Sequence, residues 1–151
     1  MDLNTSQRSA VILMAEDNPT DVMLTREALA NAKLLNTLHV TKDGIEALEF
    51  LRRQGKYADA PRPDLILLDI NMPRKGGLEV LAELKIDAEL KNIPVIILTT
   101  SSSDEDVARA YGNHANCYIS KPVDFDSFAQ VVKSMQDFWF MIATLPTHPK
   151  N

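Results

Sequence analysis

The chain alternates short, nearly continuous apolar runs with amphipathic segments along most of its length. Runs such as Leu65-Ile66-Leu67-Leu68 and Val95-Ile96-Ile97-Leu98 are typical of strands that are buried on both faces of a parallel sheet. Parallel strands need crossover connections, and the amphipathic segments supply helices for them. The pattern predicts an open α/β sandwich with right-handed crossovers. The predicted strands cover residues 10–15, 37–41, 65–68, 95–98 and 117–119.

Size and charge exclude several classes of protein. A chain of 151 residues has the size of one domain, and its formal net charge of -5 argues against broad nucleic-acid binding. No apolar run has the length of a membrane span, and the N-terminus lacks the pattern of a signal peptide. We therefore expect a cytoplasmic protein that binds neither nucleic acid nor membrane. The single cysteine, Cys117, rules out an internal disulfide.

Two local signals mark where helices and turns should lie. Asn18-Pro19 has the form of a helix cap followed by proline at the first helical position, with Asp21 in the first turn. Asp43-Gly44, after the second predicted strand, indicates a turn.

The last predicted helix carries more apolar surface than one sheet can cover. We divide the chain into a flexible tail over residues 1–9, a domain over residues 10–135, and an extended last helix with a C-terminal tail over residues 136–151. The segment 138–142 is apolar all round and needs a cover, which is either a fold-back onto its own core or a partner or dimer contact. We favour the contact, because Pro146 and Pro149 lead the chain away. The apolar stripe of this helix consists of Phe125, Phe128, Val132, Met135, Trp139 and Ile142.

Polar residues stand where the predicted strands end. In open α/β sheets, ligands bind at the carboxyl ends of the strands, so these side chains should converge at one edge. A single aspartate at such a position is usually a helix cap or a solvated charge, but that explanation is much weaker for the whole set. The set consists of Glu16-Asp17, Asp69, Thr99-Thr100 and Ser120-Lys121-Pro122.

Carboxylates that are packed together repel one another unless a cation or protons compensate for their charge. Mg²⁺ is suited to such a site, with Asp17 the better direct ligand and Glu16 the better indirect one. Asp69 can then attack the phosphorus of a donor and form an acyl phosphate. Lys121 and the metal would neutralise the phosphoryl oxygens, and the Thr99 hydroxyl could donate to one of them.

These residues carry a family resemblance over about residues 10 to 135. The sequence resembles the receiver domains of two-component response regulators. Each motif is weak by itself, but four in order, each at a strand end, are very specific. The motifs are Ala15-Glu16-Asp17-Asn18, Leu67-Leu68-Asp69-Ile70-Asn71-Met72-Pro73 with Gly76-Gly77, Leu98-Thr99-Thr100, and Tyr118-Ile119-Ser120-Lys121-Pro122.

The resemblance implies a flavodoxin-like (CheY-like) three-layer α/β/α sandwich, with a five-stranded parallel sheet in the order 2-1-3-4-5. It implies a cis Lys121-Pro122 bond. It also implies Mg²⁺-dependent self-phosphorylation from a kinase phosphohistidine and slow autodephosphorylation, with no other enzymatic activity. The implied phospho-acceptor is Asp69. The implied metal site consists of Glu16, Asp17, Asp69 and the Asn71 backbone carbonyl. Lys121 would be the phosphate partner, and Thr99 and Tyr118 would be the switch residues.

A finer resemblance is to the receivers that serve bacterial phytochrome histidine kinases. It implies a kinase partner of that type, and a homodimer formed through the last helix and C-terminal tail. It rests on Gln54-Gly55-Lys56-Tyr57, Pro61-Arg62-Pro63, Pro73-Arg74-Lys75-Gly76, Phe138-Trp139 and Leu145-Pro146.

Departures from the family pattern leave the lifetime of the acyl phosphate open. Glu16 replaces the commoner Asp, and Thr100 stands where Ala or Gly is frequent. Asn71 and Ser101 occupy the positions that tune hydrolysis in the family.

Two other classes of function are alternatives to a phosphorylated receiver. An aspartyl-phosphate hydrolase would need a second acid two residues after Asp69, where Asn71 stands. The alternative is a receiver-like protein-binding module that is not phosphorylated. Retention of both acidic residues, Asp69, Thr99 and Lys121 argues against it.

Overall fold

The five predicted strands form one parallel sheet, in the order β2-β1-β3-β4-β5. The computed structural model describes residues 9–31, 36–100, 117–124, 126–128 and 130. The strand order implied by the family resemblance is confirmed. The strands are β1 (Ala10–Ala15), β2 (Asn36–Thr41), β3 (Leu65–Asp69), β4 (Val95–Thr99) and β5 (Cys117–Ser120).

Three of the strands run one residue further than the apolar pattern predicts. Asp69, Thr99 and Ser120 are polar, so an apolar run excludes them, but the backbone of each still pairs with the neighbouring strand. Strand ends are therefore set by backbone hydrogen bonds, which the side-chain pattern does not report.

The helices begin at identifiable caps. Helix α1 covers Pro19–Asn31, and Asn18 Oδ1 accepts the Thr20 N–H at 2.8 Å, which confirms the predicted cap. Helix α2 covers Gly44–Leu51, with Asp43 as its N-cap. The prediction of a turn at Asp43-Gly44 is wrong, because the same residue pair starts this helix. A 3-10 helix covers Gly55–Tyr57, and helix α3 covers Gly77–Lys85.

Side chains of successive strand residues pack into two separate apolar layers, one on each face of the sheet. Leu13, Ile66 and Ile97 pack with buried residues of α2 and α3. Their neighbours Ile12, Leu67 and Ile96 pack with α1 and with Phe128, which lies among helical residues at 126–128 and 130. The central strands β1, β3 and β4 are therefore covered on both faces, which explains why their sequences are nearly continuously apolar.

The register of the sheet aligns the carboxyl ends of its central strands. Ala15 pairs with Leu68, Asp69 with Leu98, and Thr99 with Ser120. The residues that follow or end these strands must therefore lie at one edge.

Several predictions concern residues outside the described ranges. They are the N-terminal tail over residues 1–8, Ser101, and the apolar stripe at Phe125 and from Val132 to Ile142. The dimer contact proposed for that stripe and for residues 136–151 also lies outside. Within the described part of the chain, no helix combines the length and the apolar character that crossing a membrane requires.

Candidate functional site

The Lys121 ammonium group lies among three carboxylates at the carboxyl edge of the sheet. Its Nζ is 3.1 Å from Glu16 Oε1, 3.0 Å from Asp21 Oδ2 and 3.3 Å from Asp69 Oδ2. The Lys121 N–H also donates to Thr99 O at 2.7 Å, which anchors the lysine to the end of β4. The Lys121-Pro122 peptide bond is cis, as the resemblance implied. The structure thus brings Lys121 next to Glu16 and Asp21, which are 105 and 100 positions away in sequence.

Glu16 and Asp69 are each only 2% exposed. Backbone N–H groups of the loops after their strands support both: Asn18 N–H donates to Glu16 Oε2 at 3.2 Å, and Asn71 N–H donates to Asp69 Oδ1 at 3.3 Å. The orientation of both carboxylates is therefore coupled to the backbone of the loops that follow them.

Burial and crowding shift the protonation of this cluster. Burial and, to a lesser extent, the neighbouring Asp69 carboxylate raise the pKa of Glu16 from its ordinary value of 4.5 to about 7, against the opposing effect of Lys121. Burial lowers the pKa of Lys121, but hydrogen bonds to Asp21 and Glu16 outweigh it, so the net shift is upward. The lysine is the fixed positive charge of the site.

Glu16, Asp17 and Asp69 form a group whose carboxylate oxygens lie within 4.8 Å of one another. Glu16 and Asp69 are buried, whereas Asp17 is exposed at the rim. Three hard oxygen donors with one open side are the ligand type that divalent cations of the Mg²⁺ class select. The residues present therefore fit such an ion.

Thr99 ends β4, and Tyr118 lies on the neighbouring strand β5, where it pairs with Ile97. Thr99 Oγ1 is fully buried and has no hydrogen-bond partner within the described part of the chain. A buried hydroxyl without a partner costs free energy, so its retention is expected where it serves a ligand. Tyr118 is partly buried and packs against the apolar layer beneath α2 and α3.

Asp21 is the site residue that sequence reasoning missed. Its position predicted a first-turn acid of α1, which is what such residues usually are. One sequence feature could have indicated this role for Asp21. Only the short segment 16–18 separates β1 from α1, so the first turn of α1 lies at the same edge of the sheet as Glu16. The sequence could not show that Asp21 Oδ2 would lie within hydrogen-bonding distance of Lys121.

Comparison with known proteins agrees with this geometry. The model of the response regulator receiver domain family matches residues 12–133, which is most of the chain. The chain belongs to this family. This receiver domain is 43% identical over 136 residues to response regulator Rcp1 of Synechocystis sp. (strain ATCC 27184 / PCC 6803 / Kazusa), and the alignment covers 90% of the chain and 92% of Rcp1.

Two solved structures extend the comparison. The phosphorylated cyanobacterial phytochrome response regulator RcpA is 46% identical, with a TM-score of 0.74, over 93% of this chain and 100% of that one. The Mn²⁺-bound form of Rcp1 is 43% identical, with a TM-score of 0.72, over 91% and 99%. This receiver domain is thus a response regulator homologous to phytochrome response regulators, and the alternative of a receiver-like protein-binding module that is not phosphorylated is not favoured.

The raised pKa of Glu16 predicts an unusual pH dependence of stability without metal. Below pH 4.5 Glu16 is protonated in both states, and between pH 4.5 and about 7 the folded state binds the extra proton. Raising the pH through 7 therefore removes stability, by up to about 3 kcal/mol. Urea unfolding in EDTA at pH 5 and pH 8 should show this loss.

Glu16→Gln is the matched variant, because it has no proton to lose. The free energy of unfolding of Glu16→Gln minus that of wild type should grow as the pH rises from 5 to 8. A difference that is constant over this range would contradict the prediction.

Proposed function

We propose that this response regulator accepts a phosphoryl group on Asp69 from a histidine kinase of the phytochrome type, with Mg²⁺ as its cofactor. The observation that carries the proposal is the cluster in which buried Asp69 lies against Lys121 and within reach of Glu16 and Asp17. The names of the relatives support it, because RcpA is described as a phosphorylated phytochrome response regulator.

The reaction needs little covalent work from the protein. An Asp69 carboxylate oxygen forms a bond to phosphorus, the bond from phosphorus to the donor imidazole nitrogen breaks, and the ring, which takes up one proton from solvent, leaves as neutral imidazole. Lys121 is already within 3.3 Å of Asp69 Oδ2, so its positive charge lies where charge accumulates on the phosphoryl oxygens. Exposed Asp17, Asn71 and Thr100 form the rim through which a donor reaches buried Asp69.

Glu16, Asp17 and Asp69, together with the backbone carbonyl of Asn71, would hold the divalent ion. When bound, Mg²⁺ supplies charge neutralisation for the phosphoryl oxygens. The proposal of a divalent cation is supported by the three carboxylates, and by a Mn²⁺-bound structure of the relative Rcp1. The choice of Mg²⁺ rests on the preference of this ion for carboxylate and phosphate oxygens.

Thr99 and Tyr118 would convert phosphorylation into a change of surface. A phosphoryl group adds about -1.5 to -2 charges and new acceptor oxygens. Thr99 would turn its buried hydroxyl toward them, and Tyr118 would occupy the space that is vacated. The protein would otherwise have no enzymatic activity beyond slow loss of its own phosphoryl group, and would act in the cytoplasm.

We also propose a homodimer formed through the last helix and the C-terminal tail, residues 136–151. Its support is the apolar sequence Phe138-Trp139-Phe140-Met141-Ile142, which needs a cover.

Phosphorylation can be tested by intact mass after incubation with phosphoramidate, a small phosphodonor, and Mg²⁺. Wild type should gain the mass of one phosphoryl group, whereas Asp69→Asn, which keeps the shape of the side chain, should gain none. EDTA should prevent the gain on wild type. An unmodified wild type, or equal modification of Asp69→Asn, would refute the proposal.

Replacing Thr99 by the isostere Val should raise the stability of the unphosphorylated protein and lower its affinity for a phosphoryl mimic. Thr99→Val removes a buried unpaired hydroxyl and should stabilise the unphosphorylated protein by about 1 kcal/mol. The same variant should bind the phosphoryl mimic beryllofluoride more weakly, by about tenfold, because one donor is lost. Urea unfolding and fluorescence titration measure the two effects, and unchanged beryllofluoride affinity would exclude a role for this hydroxyl.

The dimer is tested by light scattering of the whole chain. Wild type should have the mass of two chains, and the double variant Phe138→Ser, Ile142→Ser should have the mass of one with its fold retained by circular dichroism. A monomeric wild type, with or without beryllofluoride, would contradict the dimer.

A further inference from the structure

The segment from Ile70 to Gly76, here the β3–α3 loop, joins the acceptor Asp69 to helix α3 and contains Asn71. We propose that Asp43 and Arg74 form a clamp that positions the β3–α3 loop for cation binding at Asp69. This inference rests on the proposed function, because the cation site is the one proposed there. It adds two positioning residues that lie outside the acidic cluster.

The clamp is a two-donor ion pair between the loop and helix α2. Arg74 Nε and Nη2 each lie 2.8 Å from Asp43 Oδ2. The other oxygen of this carboxylate, Oδ1, accepts the Glu46 N–H at 2.8 Å and caps the helix. Asp43 therefore divides its two oxygens between the helix and the loop. Because the helix backbone orients the carboxylate, the oxygen facing Arg74 is held in place.

The charges of the pair are retained around neutral pH. Burial raises the pKa of Asp43, but the Arg74 guanidinium and the backbone N–H groups at the start of α2 outweigh this effect and lower it below its ordinary value. The pair is therefore fully charged under the conditions in which a kinase would act on Asp69.

A backbone contact brings the loop against the same helix start. Gly44 N–H donates to Lys75 O at 2.9 Å. A Cβ atom at position 44 would lie 2.3 Å from that oxygen, so glycine is needed for the approach. The loop is thus attached to α2 at two consecutive residues, Arg74 by its side chain and Lys75 by its carbonyl group.

The attached part of the loop is directly connected to the acceptor. Asn71 N–H donates to Asp69 Oδ1, and Gly77 N–H donates to Ile70 O at 3.2 Å. A Cβ atom at position 77 would lie 2.4 Å from Asp69 O, so the end of the loop packs back onto its beginning. A displacement at Arg74 would therefore be transmitted to Asn71 and to the orientation of Asp69.

The backbone of Arg74 shows that the loop conformation needs external support. Its φ is +66°, in the left-handed region that a residue with a Cβ rarely adopts. Such a conformation persists where the surroundings over-determine it. Without the ion pair, the loop should populate other conformations, and the apparent cation affinity falls in proportion to the fraction that remains competent.

The test is Mn²⁺ binding, followed by the loss of the electron paramagnetic resonance signal of the free ion. Asp43→Asn can keep the capping Oδ1, but it replaces Oδ2 with an amide NH2, which carries no charge and cannot accept from Arg74. Arg74→Met breaks the pair from the other side. Arg74→Gly also removes it but relieves the backbone strain, so it should fold even if Arg74→Met does not. Lys56→Met is the control. It breaks the ion pair between exposed Lys56, on the 3-10 helix, and Glu46 of α2, and it does not touch the β3–α3 loop.

We expect Asp43→Asn and Arg74→Met each to weaken Mn²⁺ binding about threefold to fivefold, the range that a partly exposed ion pair can supply. Arg74→Gly should weaken Mn²⁺ binding less, because glycine adopts the left-handed conformation without strain. The Asp43→Asn, Arg74→Met double variant should bind no more weakly than either single variant, because both remove one interaction. Lys56→Met should bind as wild type does.

Wild-type affinity in the three single variants, or effects that multiply in the double variant, would overturn the clamp while leaving the cation site intact. Asp17→Asn distinguishes the other failure, because it should abolish binding at the proposed site. If wild type binds no Mn²⁺, or binds it equally after Asp17→Asn, the cation site itself is refuted and the clamp with it.

Discussion

The placement of Lys121 between Glu16, Asp21 and Asp69 is the interaction on which the rest of the site depends. Burying Glu16 and Asp69 side by side brings two negative charges together where water cannot screen them. One ammonium group offsets part of this repulsion, but burial and the adjacent Asp69 carboxylate still raise the pKa of Glu16. The remaining excess of negative charge is what makes the pocket suitable for a divalent cation.

The parallel sheet makes this arrangement possible. Every strand of a parallel sheet points its carboxyl end the same way, so residues from β1, β3, β4 and β5 meet although they are far apart in the chain. The central strands β1, β3 and β4 are buried on both faces, which keeps their ends fixed relative to one another. Charge repulsion at the edge is therefore opposed by the close packing of these strands.

The loops around the pocket have a different kind of support. The β3–α3 loop is attached to the start of α2 through Arg74 and Lys75, and its own backbone N–H groups reach back to Asp69 and Ile70. The acceptor is thus oriented from two sides, by Lys121 from β5 and by a loop that depends on α2. The second support depends on Arg74, which is exposed although its partner Asp43 is buried, so it is the part of the site that single substitutions can loosen without unfolding the sheet.

Much of the fold and the site could be predicted from the sequence. Strands that are buried on both faces, such as β3, have a nearly continuous apolar pattern. Asn18-Pro19 is a local cap signal that needs no tertiary information. The acidic pair, Asp69 and Lys121 were found because each follows or ends a predicted strand. Asp43-Gly44 misled the prediction because a turn and a helix start share the same residue types, and here Asp43 caps helix α2 through the Glu46 N–H.

By itself the sequence determined the order of strands and helices, the class of sheet and the residue types available at its carboxyl edge. These follow from local periodicity and from the chemistry of single side chains. Only the tertiary structure decided that Asp21 pairs with Lys121, that Glu16 is buried enough to have a raised pKa, and that Arg74 is bound to Asp43. Each of these depends on distances between residues that are remote in sequence, and such distances are set by the packing of the whole domain.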